Sequence, residues 1–282
     1  MKNIKILVAC HKSDPHIRQN DIYMPIQVGK EIHPEIDLGF QCDNEGKNIS
    51  HKNDKYCELT ALYWAWKNLK NIEFIGLCHY RRYFDYNINL KNISEDLQKY
   101  DAIAVKPKIT YYPTEVALSH LLTREEVTLT FETLLEIDPQ YKHSIIEYYF
   151  KNNKSSRYNM FIMNWHNFNE YCEFIFDILL RLENKFKPHN YTRLKRNLGY
   201  IAESLLGFYF FHKKMKIKYV EIVEPKKRNK KRIRLMRLRN NLIFKLISKP
   251  TKIKIFESVI MGLNGDKIPI KNLLSSDIKV IQ

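Results

Sequence analysis

Short apolar runs, each ending in polar residues, recur along the chain and have the length of strands buried inside a sheet. The strands predicted from these runs cover residues 4–10, 72–78, 101–108, 158–163 and 216–223. Helical patterns separate them, and the first two long runs form a strand-helix-strand unit of the kind that pairs in parallel. The alternation predicts an α/β domain with a mixed, mainly parallel central sheet flanked by helices.

Apolar residues at three- and four-residue spacing predict the helices. The first helix follows a run of turn formers, has Asn53 or Asp54 as its predicted N-cap and ends near Asn68. Further helices are predicted over residues 90–99, 114–135, 138–152 and 166–185, and from residue 201 onward. The pair within residues 111–152 is predicted to be an insertion above the strand ends, which either shapes an acceptor pocket or forms a packing layer.

The second long strand stops abruptly at His79, Tyr80, Arg81 and Arg82. Polar groups at the carboxyl ends of parallel strands lie where such sheets bind ligands. Arginine pairs with phosphate through two hydrogen bonds and stays charged at any relevant pH, so the cluster indicates an anionic ligand such as a nucleoside diphosphate. The alternative is that consecutive side chains diverge and the arginines form surface ion pairs.

Composition limits the classes of protein that fit. The 282 residues are 44% hydrophobic, enough for one large domain or a domain with an appendage. The five cysteines have neither CxxC nor Cys/His spacing, which argues against a disulfide framework and a zinc module and favours the reducing cytoplasm. We expect no signal peptide, and no stretch reaches the ~20 apolar residues that span a bilayer.

Several familiar catalytic signatures are absent, namely GxGxxG, GxxxxGK[ST], GxSxG and HExxH. Polar residues at strand ends therefore carry the candidate chemistry. Among them, Glu203 follows Gly199 at the predicted start of an otherwise apolar helix. It is either a general base that deprotonates an acceptor hydroxyl or a carboxylate stabilised by the helix dipole.

Four blocks, NISHKNDKYCELTALYWAWKN, GLCHYRRYF, YNMFIM and GYIAESLL, carry a resemblance that runs from about residue 5 to residue 224. In this order and spacing they resemble a family of bacterial capsular-polysaccharide and lipopolysaccharide glycosyltransferases first catalogued as a domain of unknown function. The resemblance implies one GT-A-like domain that moves a sugar from a nucleoside diphosphate donor to a growing surface glycan. Some members resemble galactofuranosyltransferases, so UDP-galactofuranose or another UDP-hexose is the expected donor.

The resemblance also assigns positions, to which we attach inferred roles. Arg81 and Arg82 are predicted to clamp the diphosphate, His79 to contact a phosphate or a metal, and Glu203 to be the base of an inverting transfer. Glu58 and Thr60 lie in the first block without a role. The full predicted donor site is His11, Lys12, Asn48, Asn53, His79, Tyr80, Arg81, Arg82 and Asn159.

One departure from the GT-A pattern concerns the metal. No Asp-x-Asp stands at the strand end where such enzymes hold a divalent ion. Either the two arginines replace the metal electrostatically, or His79 with Asp85 or Asp43 forms an unusual site for Mn²⁺ or Mg²⁺. We expect transfer that needs no metal and no other cofactor.

The net charge of +16 is concentrated near the C-terminus, where residues 225–250 hold eleven Lys/Arg and no acidic residue. The pattern predicts a basic amphipathic helix over residues 226–247, in an extension of residues 225–282 that follows a catalytic domain of residues 1–224. The cations expected to bind anionic lipid are Lys226, Lys227, Arg228, Arg232, Arg234, Arg237 and Arg239.

Such binding would hold a cytoplasmic enzyme on the inner face of the membrane, beside a glycan or lipid-linked glycan acceptor. The same pattern also fits a solvated charge run beside a core helix, or an RNA-binding arm. The alternative for the whole chain is a noncatalytic nucleic-acid or membrane-surface binding protein that acts through this tail. For the transferase we expect no nucleic-acid partner.

Overall fold

The computed structural model describes residues 3–188, 195–224, 229–248, 259–261 and 267–269. The chain forms two compact units. The first comprises Met1–Lys106, Ser156–Asp177 and His189–Lys227, and the second comprises Pro107–Ser155, Ile178–Pro188 and Arg228–Gln282. The predicted boundary at residue 225 lies outside the described residues and stays a prediction.

The strands and helices follow the predicted order closely. The strands are β1 (Ile4–Cys10), β2 (Tyr23–Gln27), β3 (Gln41–Cys42), β4 (Phe74–His79), β5 (Tyr83–Asp85), β6 (Ala102–Val105), β7 (Lys108–Ile109), β8 (Lys154–Ser155), β9 (Phe161–Asn164), β10 (Ile217–Val223), β11 (Val259–Met261) and β12 (Lys267–Pro269). The α-helices are α1 (Asn53–Tyr56), α2 (Leu59–Asn68), α3 (Leu90–Leu97), α4 (Thr114–Ser119), α5 (Arg124–Ile137), α6 (Tyr141–Ile145), α7 (Trp165–Lys185), α8 (Asn197–His212) and α9 (Lys230–Ile243).

Within the described part of the first unit, eight strands form one sheet in the order β3-β2-β1-β4-β9-β6-β10-β5. The pairings of β1 with β2 and β4, of β2 with β3, and of β6 with β10 are parallel. β9 is antiparallel to both of its neighbours, and β5 is antiparallel to β10. The predicted mixed, mainly parallel sheet is confirmed, and the central β9 runs against its neighbours.

These directions bring several chain segments to one edge of the sheet. β1, β4, β6 and β10 end at this edge, whereas β5 and β9 begin there, as the registers Leu77↔Phe161 and Val223↔Tyr83 show. The residues that follow β1 and β4 therefore lie beside those that precede β9. This edge is where an α/β sheet offers a ligand site.

The centre of the sheet explains the glycine in the second long apolar run. β4 lies between β1 and β9, and all of its residues except the last are buried. A Cβ on Gly76 would lie 2.7 Å from the carbonyl oxygen of Phe161 and 2.8 Å from Cδ1 of Ile6. The close approach of neighbouring strands thus requires glycine here.

Two helices of the first unit differ from prediction. The helix expected to run unbroken to Asn68 is interrupted after α1 at Cys57, which has a φ of 52°. α8 begins at Asn197, so Gly199 lies inside it and forms no turn. A Cβ on Gly199 would approach Sγ of Cys57 to 3.1 Å, so here the glycine allows close packing of α8 on the interrupted helix.

The second unit contains α4, α5 and α6, the last continuing as a π-helical turn over Ile146–Phe150. A capping box between Thr123 and Glu126 begins α5. The predicted basic helix is confirmed as α9, and residues 226–228 of that prediction lie outside the described residues. Among the helices described, none has the length and apolar character needed to cross a bilayer.

Candidate functional site

A tight turn between β4 and β5 sets the directions of the His-Tyr-Arg-Arg side chains. The amide of Arg82 donates to the His79 carbonyl at 2.9 Å, and the amide of His79 donates to the Arg82 carbonyl at 3.3 Å. Tyr80 and Arg81 occupy the tip of the turn, where Tyr80 is buried and Arg81 is exposed. Both arginine side chains thus stay at the same edge of the sheet.

Each arginine of the turn pairs with a carboxylate. Nε of Arg81 lies 2.8 Å from Asp14, and Nε of Arg82 lies 3.3 Å from Glu224. The ion pairs foreseen by the alternative interpretation therefore exist. They involve Nε, and the terminal guanidinium nitrogens make no hydrogen bond to a described residue. Those nitrogens are the ones that bind phosphate oxygens in a bidentate pair.

Positive charge is concentrated around His11, which follows β1 and meets the ring of Tyr80 edge-on at 5.2 Å between centroids. The pKa of His11 is lowered first by desolvation of its imidazole. Nearby positive charges lower the pKa of His11 further, and their effects decrease in the order Lys12, Arg196, Arg81 and His79. Each of them disfavours the protonated imidazole by like-charge repulsion. The local field at His11 is therefore positive, and it would favour an anion bound beside this residue.

Glu203 lies in the second turn of α8, so the predicted position at the start of a helix was wrong. Its pKa is raised to about 7, first by burial and then by the negative charge of Glu58. A hydrogen bond from the backbone of Tyr158 and the charges of Arg82 and Arg196 act in the opposite direction. Because Glu203 lies beyond the first turn of the helix, where the dipole effect is felt, the helix-dipole explanation for this carboxylate does not apply.

Glu58 is buried directly after the break at Cys57. Its Oε1 accepts a hydrogen bond from Nδ2 of Asn159 at 2.7 Å and lies 4.0 Å from Nε2 of His79. The two carboxylates thus have different surroundings: Glu58 has a buried amide donor, and Glu203 has a backbone donor.

The segment before β9 connects these groups through an unusual backbone. Tyr158 and Asn159 are consecutive and both left-handed, with φ of 66° and 48°. The carbonyl of Tyr158 accepts a hydrogen bond from Nε2 of His79 at 2.7 Å. The guanidinium carbon of Arg82 lies 4.2 Å from the centroid of the Tyr158 ring. Oδ1 of Asn159 is buried without a hydrogen-bond partner among the described groups. Strained residues of this kind cluster at functional sites.

The structure brings most of the predicted site residues to this edge. They are His11, Lys12, His79, Tyr80, Arg81, Arg82, Asn159 and Glu203. Two others make local contacts. Nδ2 of Asn48 donates to the carbonyls of Asn44 and Gly46, and Nδ2 of Asn53 donates to the Cys57 carbonyl and to Thr60. Asn53 thereby supports the break that precedes Glu58, and donor contact by either asparagine stays a prediction.

Three residues of the site carried no predicted role: Glu58, Tyr158 and Arg196. A signal for Glu58 was present, because a charged residue there precedes the buried Leu59, Ala61 and Leu62. Arg196 follows a basic approach to α8 and donates from Nε to Sγ of Cys57 at 3.2 Å. Tyr158 contacts His79 and Glu203 through its backbone, and such contacts cannot be inferred from the type of residue.

The two aspartates considered as metal ligands have other positions. Asp43 is buried and accepts from the amides of Gly29 and Lys30, whereas Asp85 is the exposed last residue of β5. Nε2 of His79 is directed at the Tyr158 carbonyl. Across the ranges that the structure describes, no group of three or more His, Cys, Asp or Glu residues could hold a metal ion. The metal requirement stays a prediction.

Comparisons with known proteins place the chain in context. Residues 5–214 match the family model described as a domain of unknown function, DUF4422. The apo structure of the WbbM bifunctional glycosyltransferase is similar at a TM-score of 0.68 and 26% sequence identity, over 79% of this chain and 45% of that chain. The chain thus spans less than half of WbbM. No curated protein gives a significant match. The similarity in fold confirms the predicted GT-A-like α/β architecture.

Proposed function

The chain belongs to the DUF4422 family, and we propose that it transfers a sugar from a nucleoside diphosphate to a hydroxyl group of a growing capsule or lipopolysaccharide glycan. The observation that carries the proposal is the similarity in sequence and fold to the glycosyltransferase WbbM. UDP-galactofuranose or another UDP-hexose is the proposed donor, on the resemblance of the sequence blocks. The five free cysteines fit a cytoplasmic enzyme.

The proposed donor site is the positive edge of the sheet. Arg81 and Arg82 would bind diphosphate oxygens through their terminal nitrogens, while the Nε atoms keep their carboxylate partners. His11 and Lys12 add to the positive field from the end of β1. As the bond between the sugar and the diphosphate breaks, negative charge grows on the leaving group, and fixed cations stabilise it. We propose that these side chains stabilise the leaving diphosphate in place of the divalent ion that GT-A enzymes hold at this strand end.

The proposed base is Glu203. Because its pKa is about 7, a large fraction of Glu203 side chains is ionised at neutral pH. The ionised carboxylate is also basic enough to accept a proton. It would remove the proton of the acceptor hydroxyl as that oxygen attacks the anomeric carbon opposite the departing diphosphate, which inverts the configuration. Glu58 would act through its charge, which raises the basicity of Glu203. Asn159 would be a positioning residue that holds Glu58.

Calorimetric titration with UDP, followed by a panel of UDP- and GDP-sugars, tests the proposal. We expect UDP to bind and Arg81→Ala to weaken binding about tenfold or more, since a charge-assisted hydrogen bond contributes about 1.5–3 kcal/mol. Glu203→Gln should bind the donor normally and lose about 10²–10⁴ in transfer rate. Glu173→Gln, at an exposed position of α7, is the matched control and should behave as wild type.

Each part of the proposal can fail separately. If no nucleotide binds with or without Mn²⁺ or Mg²⁺, the transferase is rejected and noncatalytic binding through the basic helix becomes the leading function. If turnover stops after chelation and returns with added metal, only the metal-independent clamp is rejected. If Glu203→Gln retains transfer, another group is the base.

A further inference from the structure

The residues of α9 are arranged in a way that the sequence pattern does not require. The side facing the rest of the second unit carries the buried Asn240 and Phe244, with Ile233 and Arg237 half-buried. Four leucines point outward: Leu235, Leu238, Leu242 and Leu246 are exposed by 59%, 61%, 58% and 65%. Their spacing of three, four and four residues places them in one stripe along the helix and the turn that follows it.

The inward face of α9 holds the helix in this orientation. Nδ2 of Asn240 donates to the carbonyl of Ile109 at 2.9 Å, and Phe244 is buried one turn later. A core helix would turn its leucines inward and its amide outward. The observed orientation therefore argues against a solvated charge run beside a core helix. An exposed apolar stripe of this kind marks an interaction surface.

Cations border the stripe on both sides. Lys231, Arg232, Arg234, Arg239 and Lys245 are exposed, and residues 225–250 contain no acidic side chain. Leucines flanked by lysine and arginine match the chemistry of an anionic bilayer, which offers acyl chains below a layer of phosphates. Nucleic acid would use the cations and leave the leucines in water, and two copies of this face would repel one another.

We propose that the outer face of α9 inserts into the interface of an anionic lipid bilayer, with the four leucines among the acyl chains and the flanking cations at the level of the lipid phosphates. The sequence expectation rested on the charge and the amphipathic pattern of this segment, and the observed orientation of the four leucines adds to it. The proposal does not depend on the transferase reaction, because it uses residues of α9 and the turn after it alone.

Flotation of the full chain with lipid vesicles tests this surface. We expect binding to phosphatidylcholine vesicles that contain about 30% phosphatidylglycerol, and little to phosphatidylcholine alone, at ~0.1 M salt. Leu238→Gln with Leu242→Gln should lower the partition coefficient at least about tenfold. Leu180→Gln, at an exposed leucine of α7, is the matched control and should bind as wild type.

The charged border is tested in the same assay. Arg234→Gln with Arg239→Gln should weaken binding about tenfold, and added salt should reduce that difference. Thermal melting and UDP titration of every variant show whether the variant is folded and keep this proposal separate from the transferase.

Three outcomes would overturn the membrane proposal: no binding to anionic vesicles, leucine variants that bind as wild type, or a wild-type dimer that the leucine substitutions dissociate. RNA binding unaffected by the leucine substitutions, without vesicle binding, would make the segment a nucleic-acid arm.

Discussion

The charge of Glu58 raises the pKa of Glu203, and the guanidinium groups of Arg82 and Arg196 lower it. Burial contributes more than either, and the balance leaves the pKa at about 7. A general base is most effective when its pKa lies near the working pH, because it is then both ionised and basic. Substitution of a neighbour should therefore change the pH dependence of the reaction as well as its rate.

We predict that the transfer rate at saturating substrate rises with pH and has its midpoint near pH 7, since only the ionised form of Glu203 accepts a proton. Glu58→Gln removes the charge that disfavours ionisation, so the pKa of Glu203 falls and the midpoint moves to lower pH. The plateau rate should also fall, because a weaker base accepts the proton less readily. Rates measured from pH 5 to pH 9 give both quantities.

Glu173→Gln should leave the midpoint where it is, because this exposed residue is not among the groups that shift the pKa of Glu203. An unchanged midpoint in Glu58→Gln, or one at higher pH, would contradict the coupling of the two carboxylates. A residual activity of Glu203→Gln with the same midpoint would assign the titration to another group.

Breaks in the regular elements place most of the site's functional groups. The interruption between α1 and α2 puts Glu58 at the sheet edge, and the turn at Tyr80 and Arg81 does the same for the arginines. The left-handed Tyr158 and Asn159 connect the two groups before β9 begins. The left-handed residues Cys57, Tyr158 and Asn159 thus lie between regular elements and not within them.

The sequence predicts the strands and helices well because buried positions are occupied mainly by apolar residues. The runs that became β1, β4, β6, β9 and β10 are apolar over strand length, and each was found within a few residues of its predicted bounds. The direction of β9 was not predictable, because strand pairing depends on residues far apart in the chain. The break at Cys57 was missed because the helical spacing continues across it.

The same distinction applies to the candidate site. The arginines and histidines follow apolar runs of strand length, and Glu203 is a carboxylate in an otherwise apolar helix, so they could be named from the sequence. The roles of Tyr158 and Arg196 depend on backbone direction and on contact with distant residues, as in the hydrogen bond from Arg196 to Cys57. Such information appears only once the chain is folded.

Gly76 gives a prediction at the scale of the sheet. Gly76→Ala would place a methyl group 2.7 Å from the Phe161 carbonyl oxygen, which is backbone and cannot turn away. We expect a loss of about 1–3 kcal/mol in the free energy of unfolding, as for other overpacked cores, measured by urea denaturation. Adding Ile6→Val removes the contact with Cδ1, and most of the loss should persist if the backbone contact dominates.

Gly39→Ala is the control for glycine replacement as such. A Cβ there would meet no atom within 4 Å, so the left-handed φ of 69° is the sole cost, about 1 kcal/mol. A Gly76→Ala protein as stable as wild type would show that β4 and β9 can separate without penalty. Full rescue by Ile6→Val would place the strain in a side chain instead.

At the scale of the whole molecule, the two candidate binding activities belong to different units. The residues of the proposed donor site, from His11 to Glu203, are all in the first unit, whereas α9 is in the second. A nucleotide and an anionic surface should therefore protect different parts of the chain. This separation also distinguishes the transferase from a protein that acts through its basic helix alone.

Hydrogen exchange with and without saturating UDP tests this separation. We predict slower exchange in the peptides that surround residues 79–82, 157–160 and 196–204, because a bound ligand stabilises only the states that bind it, by about 2.7 kcal/mol at a hundredfold excess over Kd. Residues 230–248 should exchange at an unchanged rate. Arg81→Ala, examined at the same UDP concentration, is expected to lose most of the protection at the sheet edge. Protection that appears in α9 and survives Arg81→Ala would instead mean that the phosphates bind the basic helix, which is the behaviour that the noncatalytic alternative requires.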